Sequence, residues 1–463
     1  MLVPAPASAP RDAARGEPSL ALPRSFWKDF SQNHWERGPV LLRGLFPAHF
    51  PTTEEIFDAF VWTSERWFRG EFPPNRVLRF FIEHLDGPEG IPYYSMMFPT
   101  RNQLPVREDG DMEGYLARVD KWLGGKRFGL TLNRCHTQHW GHWQQITSFL
   151  SGLYEVLGVP LFGSDSAIFL GNYRYTPFGI HKDDLHVFSF VIEGKKTLSF
   201  WPFDSLAQRE EVPRDPQLID KPGCVIVRDQ ADEEKLLSQA TLLHGEPGDL
   251  MYWPASYWHR AEPSTSPLTI TASLGVSYHS PELLGTLPPP QWPGRLRANE
   301  MPVNVKRGWQ VPASVRSVIK AQSRRDAVRA AERERTAEWV RHLTGAAMDG
   351  APPEATEPPL SPQEWIRTHP KRPLVGVPLP GGHLLISGMG RSTTLEPSPA
   401  VRRRIERLLE TLNTGKPQQV EALEEAFFSR MPARSFKRDA FRALLDDLVR
   451  WRAVWRCAQS RAK

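Results

Sequence analysis

Residues 179–202, GIHKDDLHVFSFVIEGKKTLSFWP, restrict the fold more than any other stretch of this 463-residue chain. Four ionisable groups, His181, Asp183, Asp184 and His186, stand directly before an apolar run with strand character. The run turns at Glu193-Gly194 and returns through Lys196, Leu198 and Phe200. Alternation places those three on one strand face and Lys195, Thr197 and Ser199 on the other. The second set is polar and is expected to point outward. Lys196 is then expected on the buried face, where an ammonium without an anion is costly. His181 and Asp183 share a face, with Cα atoms about 7 Å apart on an extended strand, so both can reach one ion. A hairpin carrying ion ligands and a buried cation borders a cavity that holds an anion.

The surrounding sequence supports a β-rich core. Between about 165 and 280 the runs SAIFLGNYRY, HVFSFVI, KTLSFW, CVIVRD, DLMYWP and LTITASLGVSY follow one another with turns and no long helix. That pattern predicts an antiparallel sandwich or barrel. Upstream, 25–46 reads as a Ser-capped helix and a strand from Val40 to Arg43. Thr52 with Glu55 forms a capping box before an amphipathic helix, and two further helices, DMEGYLARVDKWLGG and HWQQITSFLSGLYEVLG, end at glycine.

Past 280 the character changes again. A Pro-rich stretch precedes a long helix of alternating charge, 314–345, read as a solvated helix. The last hundred residues predict a strand, HLLISG, three helical stretches near 398–412, 418–429 and 436–450, and a terminal β element, an order similar to a winged-helix module. The expected division is a disordered 1–20, a β-cored domain with N-terminal helices at 21–280, a helical segment at 281–345, a linker at 346–365 and a winged-helix-like domain at 366–463.

Composition narrows the setting. Three cysteines, Cys135, Cys224 and Cys457, make no disulfide framework and suit a reducing cytoplasm. A net charge of +5 with mixed signs gives no argument for nucleic acid. No signal peptide or membrane-spanning run is evident, so a cytoplasmic protein without a membrane partner is expected.

A third metal ligand is sought downstream, in GEPGDLMYWPASYWHRAE, where His259 ends an aromatic return. Two histidines and one carboxylate leave metal positions open and suit non-haem Fe(II) chemistry, although zinc can use a similar set. Asp184, His186 and His244 fit structural roles better. So does the cluster Cys135, His136, His139 and His142. A chelated dicarboxylate reaching into the barrel would supply the anion that Lys196 requires.

Together HKD, GKKTLSFWP and PGDLMYWPASYWH resemble the JmjC/cupin-like oxygenases that depend on Fe(II) and 2-oxoglutarate. The helical segment and tail are similar to the bacterial ribosomal-oxygenase branch. The resemblance implies a double-stranded β-helix (jelly-roll) core with N-terminal helices and a C-terminal helical and winged-helix-like part. It implies iron held by His181, Asp183 and His259, and Lys196 on the distal carboxylate of 2-oxoglutarate. Thr176 stands five residues before His181 and Ser273 lies on the final strand where an amide is common; both are candidate co-substrate contacts. The family hydroxylates side chains, so the expected substrate is a protein or peptide, with Tyr173, Tyr175 and Trp253 lining the approach and 203–246 as a substrate-facing insertion. Rival readings are a metal-binding cupin without turnover and an oxygenase acting on a small molecule or nucleic acid. The tail is expected to serve packing, homodimer contacts or substrate docking.

Overall fold

The computed structural model describes residues 20–46, 51–72, 77–84, 93–161, 163–174, 178–206, 209, 223–225, 227, 230–264, 266–278, 315–316, 327–369, 371–432 and 436–458. Tyr175 and Thr176, the segment 1–19 and the Pro-rich stretch past 280 lie outside these residues.

Alternating apolar residues in the centre of the chain build two antiparallel sheets. The larger contains β1 (Val40–Leu42), β2 (Leu78–His84), β3 (Tyr93–Met97), β4 (Phe128–Asn133), β5 (Ser164–Gly171), β7 (His186–Glu193), β11 (Leu250–Trp253) and β13 (Thr269–Val276). Its spatial order is β1-β11-β7-β13-β5-β4-β2-β3. The smaller contains β6 (Ile180–Lys182), β8 (Lys196–Pro202), β9 (Gly223–Val225), β10 (Thr241–Gly245) and β12 (Tyr257–Ala261), ordered β10-β8-β12-β6-β9. The two face each other as a double-stranded β-helix, as expected. The hairpin 186–202 crosses from one sheet to the other. Its turn needs Gly194: φ is +70°, and a Cβ there would stand 2.1 Å from the Leu268 carbonyl oxygen.

Each face of these sheets has a distinct burden. On the outer face of the large sheet, Ile168, Leu170, Phe188, Phe190, Ile270 and Leu274 join the main core. Against them pack α1 (Arg24–Asn33) and α4 (Trp140–Leu157), with Trp27 and Phe149 at 5.0 Å and Phe149 and Phe188 at 5.4 Å between ring centroids. The inner faces form a separate cluster of Val187, Val191, Leu198, Phe200, Met251, Trp253 and Ala261. A third cluster, with Ile180, Trp201, Trp258, Leu206, Val225 and Leu236, covers the back of the small sheet.

That third cluster corrects two expectations. In place of a separate insertion, the described part of 203–246 gives the small sheet its two edge strands, β9 and β10, and α5 (Gln230–Ser238), which packs behind it. Ser199 does point away from the barrel, yet it is fully buried, because α5 covers that face; its hydroxyl donates to Glu262 at 2.5 Å. The anticipated cap at Ser25 also differs: Pro23 occupies the N-cap of α1 without a side-chain bond. The capping box at Thr52 and Glu55 is present and opens α2 (Thr53–Phe68). Strands β2, β3 and β4, which widen the large sheet, were not anticipated.

Downstream, α6 (Ala327–Thr344) replaces the solvated helix over its second half: Ala337, Trp339 and Val340 are buried, and Ala337 and Val340 share a cluster with Val375, Val377 and Leu385. The stretch expected as a linker is tied down. Ala347 and Met348 are buried, Asp349 pairs with Arg134 at 3.1 Å, and Ser164 bridges Met348. In the tail, β15 (Val375–Pro378), β16 (Leu384–Gly388) and β17 (Arg391–Leu395) form one sheet. Strands β14 (Trp365–Thr368), β18 (Gln418–Gln419) and β19 (Val454–Cys457) form another beside α7 (Pro399–Leu412), α8 (Val420–Phe428) and α9 (Arg438–Arg450). Strands β18 and β19 both pair with β14, which comes from upstream of all three helices. The tail docks on α4 through Arg372, whose guanidinium lies 4.1 Å from the Trp143 ring centroid and donates to Thr147 at 2.6 Å.

His142 on α4 illustrates the cost of burying an ionisable ring. Neither ring nitrogen has a partner among the described residues, and burial holds its pKa well below the usual 6.5. The unfolded chain therefore binds a proton that the folded chain refuses, so stability falls as pH drops below about 6.5. Denaturant unfolding of His142→Leu is expected to show a shallower loss of stability on acidification than the parent chain.

Candidate active site

Three ionisable side chains meet on the inner face of the small sheet. β6 presents His181, the next turn presents Asp183, and β12 presents His259, which pairs directly with His181 across the ladder. Directly paired residues project their side chains to the same face. The two imidazole rings lie 4.2 Å apart between centroids, and His259 Nε2 is 3.7 Å from an Asp183 carboxylate oxygen. One ligand atom from each of the three residues falls within 4.8 Å of the others.

Local contacts prepare these groups to bind a cation. His181 Nδ1 lies 3.0 Å from the Gly179 carbonyl oxygen, so Nδ1 carries the hydrogen and Nε2 keeps its lone pair for the chamber. Burial pushes the His259 pKa well below its ordinary value, which keeps the ring neutral; the nearby His181 acts in the same direction. Burial raises the Asp183 pKa, against the opposing pull of His181 and Lys182. A divalent ion reverses that pressure by supplying positive charge where the protein supplies little. Two imidazoles and one carboxylate fit Fe(II), with further positions left for other ligands.

Lys196 stands in the same chamber, 6% exposed. Its ammonium donates to the Tyr173 hydroxyl at 3.2 Å and lies 4.8 Å from that ring's centroid. Among the described residues no carboxylate forms a salt bridge with it. A hydroxyl and a π-face lower the cost of burying the charge without neutralising it. Lys195, on the opposite face, is exposed and pairs with Glu246.

The other expected site residues distribute differently. Tyr173 is buried beside Lys196 and does not line an outer mouth. Trp253 is buried against His259, 5.0 Å between centroids, and against Phe200 at 5.3 Å, so it walls the metal side of the chamber. Ser273 is half-buried and donates to Ser189 at 3.0 Å. His186 faces outward, stacked on Trp35 at 4.2 Å, with Nδ1 3.2 Å from the Tyr252 hydroxyl. His244 lies on β10 beside Thr197. His136 bonds the Ser166 hydroxyl and the Asp349 carbonyl, and burial lowers its pKa to about 3, a structural role. The sequence reading missed Asn133 and Thr131 on β4, whose Nδ2 and Oγ1 are buried without a partner among the described residues. Strand register sets Asn133 beside Ala167, then Ser273, then Ser189. The alternation in FGLTLN was the available signal for that strand.

Residues 161–283 match the JmjC domain. His181, Asp183, Lys196 and His259 all lie within this matched stretch. Among solved structures the chain is similar to the Escherichia coli ribosomal oxygenase YcfD at 15% identity and a TM-score of 0.40, over 93% of this chain and 98% of that one. It is likewise similar to YcfD in complex with cobalt and succinic acid (16%, TM-score 0.41) and with cobalt and 2-oxoglutarate (15%, TM-score 0.39), with the same coverage. No curated protein matches the sequence.

Removing the carboxylate removes the triad's only anionic ligand. Asp183→Ala is expected to abolish binding of Co(II), followed by its visible absorption, whereas His186→Ala should bind it nearly as the parent does. The reverse pattern would overturn the assignment of ligands.

Proposed function

We propose that this protein is an Fe(II)- and 2-oxoglutarate-dependent hydroxylase of protein or peptide side chains, with His181, Asp183 and His259 as the iron ligands. The observation that carries the reading is the shared chamber: a three-ligand cation site and a buried Lys196, with no carboxylate partner among the described residues, open onto the same inner face. Iron with 2-oxoglutarate, when bound, supplies dioxygen activation coupled to decarboxylation of the oxoacid to succinate, with one oxygen atom entering succinate and the other a substrate C–H bond.

The chain's own part is orientation and exclusion of water. Gly179 fixes the tautomer of His181, and Trp253 holds the ring of His259 from one side. Lys196 receives the distal carboxylate of the oxoacid, with Tyr173 sharing the hydrogen bonding. Ser189 and Ser273 give the opposite wall a polar floor between apolar neighbours. Thr176 and Tyr175 remain candidates for the co-substrate and substrate sides.

The preference for a protein substrate is supported by the size of the large sheet beyond the barrel. Three strands, β4, β2 and β3, extend it past β5, so recognition can spread well outside the chamber. The tail is proposed to serve packing or docking. Its α9 offers Arg438 and Arg442, yet both pair with Glu424, and Asp439, Asp446 and Asp447 lie on the same helix. A phosphate backbone would find little uncompensated charge there. We place the protein in the cytoplasm, on its cysteine content; no helix among the described residues is long and apolar enough to cross a membrane.

An anaerobic titration with Fe(II) and 2-oxoglutarate should produce a visible charge-transfer band; a chain that binds iron and shows no band and no succinate would be a metal-binding module only. Lys196→Ala is expected to weaken 2-oxoglutarate binding by about 2–5 kcal/mol, read from the titration midpoint, because a buried carboxylate loses its partner. Lys195→Ala should leave the midpoint in place.

For the substrate, mass spectrometry of a peptide panel tiled over ribosomal proteins, with free amino acids alongside, should show a gain of one oxygen atom in a peptide. Free amino acids should be far poorer, since remote contacts position the target. Efficient oxidation of a free amino acid or nucleobase, with every peptide untouched, would exclude the protein-substrate reading.

A further inference from the structure

Trp253 leaves a hydrogen-bond donor stranded beside the ligand triad. Its side chain is 5% exposed, and its Nε1 is buried with no partner among the described residues. An indole N–H donates and cannot accept, and a buried one ordinarily finds an acceptor. A phenyl ring would fill much of the same corner without burying a polar atom. Three other buried indoles, those of Trp27, Trp143 and Trp339, share the condition, but they stand on helices α1, α4 and α6, outside the barrel.

The setting of Trp253 limits what its N–H can meet. Met251 and Trp253 join Val187, Val191, Leu198 and Phe200 in the inner cluster. There the indole completes a corner of three rings, 5.0 Å from His259 at an interplanar angle of 48° and 5.3 Å from Phe200 at 50°. His259 cannot be the acceptor. Its Nε2 faces Asp183 and is the atom available to a cation, so the ring hydrogen sits on Nδ1, and burial keeps the ring neutral. Neither nitrogen then offers a lone pair to Trp253. The Asp183 carboxylate, turned to His259, makes no bond to the indole either.

Phe200 marks the direction from which an acceptor arrives. On β8, Lys196, Leu198 and Phe200 share the inner face, and Phe200 pairs with His259 across the ladder. An oxoacid held at Lys196 by its distal carboxylate extends along this strand toward the triad. Its other end, a carboxylate next to a keto group, comes to the corner where Phe200, His259 and Trp253 meet. We propose, resting on the 2-oxoglutarate oxygenase reading, that Trp253 Nε1 donates to an oxygen of the 2-oxoacid end of the co-substrate. The chain then grips the oxoacid at both ends: Lys196 with Tyr173 at one, Trp253 beside the metal ligands at the other. The indole is neutral and packed between two rings, so it offers a fixed donor without adding charge next to a cation.

The bond itself can be read. The full chain is isotope-labelled at its indole nitrogens and loaded with Zn(II), a diamagnetic substitute for iron; the N–H resonance missing from Trp253→Phe belongs to Trp253. Adding 2-oxoglutarate should move that resonance downfield and slow its exchange with solvent, whereas Zn(II) alone should leave it in place. In parallel, benzothienylalanine at position 253 keeps the shape of the indole and puts sulfur where the N–H stood. In that chain Co(II) affinity, followed by visible absorption, should stay within about twofold of the parent, while 2-oxoglutarate affinity of the Co(II)-loaded chain falls about tenfold. A resonance that ignores 2-oxoglutarate, or a sulfur isostere that binds it like the parent, overturns the proposal. So does a resonance that moves with Zn(II) and no further with the oxoacid, since the acceptor is then solvent on the metal. Loss of Co(II) affinity in the isostere would also overturn it, by reducing the indole to packing around His259. A parent chain that binds Co(II) but no 2-oxoglutarate would instead sink the oxygenase reading, and this inference with it.

Discussion

The antiparallel pairing of β6 with β12 sets the position of everything in the site. β6 is only three residues long, and its place in the sheet comes from β12 on one side and β9 on the other. That pairing puts His181 opposite His259, brings Asp183 to the end of the short strand, and points all three into the space between the sheets. A slip of one residue would send His259 to the back of the sheet and bring Arg260 or Trp258 forward. Register here is a chemical requirement as well as a packing one.

What secures the register lies behind the sheet. Arg260, the residue after His259, is buried and bonds Glu262 through two nitrogens and Glu233 of α5 through a third. Ser199 on β8 donates to the same Glu262, and Trp201 donates to the Leu236 carbonyl at 2.7 Å. Charges buried in this way are costly to break and add directional constraint, whatever their net contribution to stability. The aromatic pair Trp201 and Trp258 fills the space around them. The front of the sheet can then stay open for ligands, because α5 and the aromatic pair close its back.

Burial sets the electrostatics in front. An imidazole kept neutral by desolvation at His259, a carboxylate pressed toward protonation at Asp183, and an ammonium held by a phenol at Lys196 form an arrangement of unmet charges. A cation between the triad and an anion beside Lys196 would satisfy both at once. The two ligands are complementary to each other as well as to the protein, so binding of each is expected to favour the other.

Much of this was legible before any coordinates. His181, Asp183, Lys196 and His259 were identifiable because strand alternation is a local rule: two residues apart means one face, and a charge among Leu198 and Phe200 means a buried charge. The capping box at Thr52 and the glycine stops at Gly124 and Gly158 follow from equally local chemistry. Tertiary structure alone decided what each face meets. Ser199 read as solvent-facing because nothing near it in the chain announces that α5 covers that side. Tyr173 and Trp253 read as mouth residues, yet one was drawn to Lys196 and the other to His259 by contacts 23 and 6 residues away in sequence. Strands β2 and β3 carry too short an alternation to stand out, and only their ladder with β4 makes them a sheet. The sequence by itself determined which side chains share a face; the partner across that face depends on long-range packing, which no local spacing encodes.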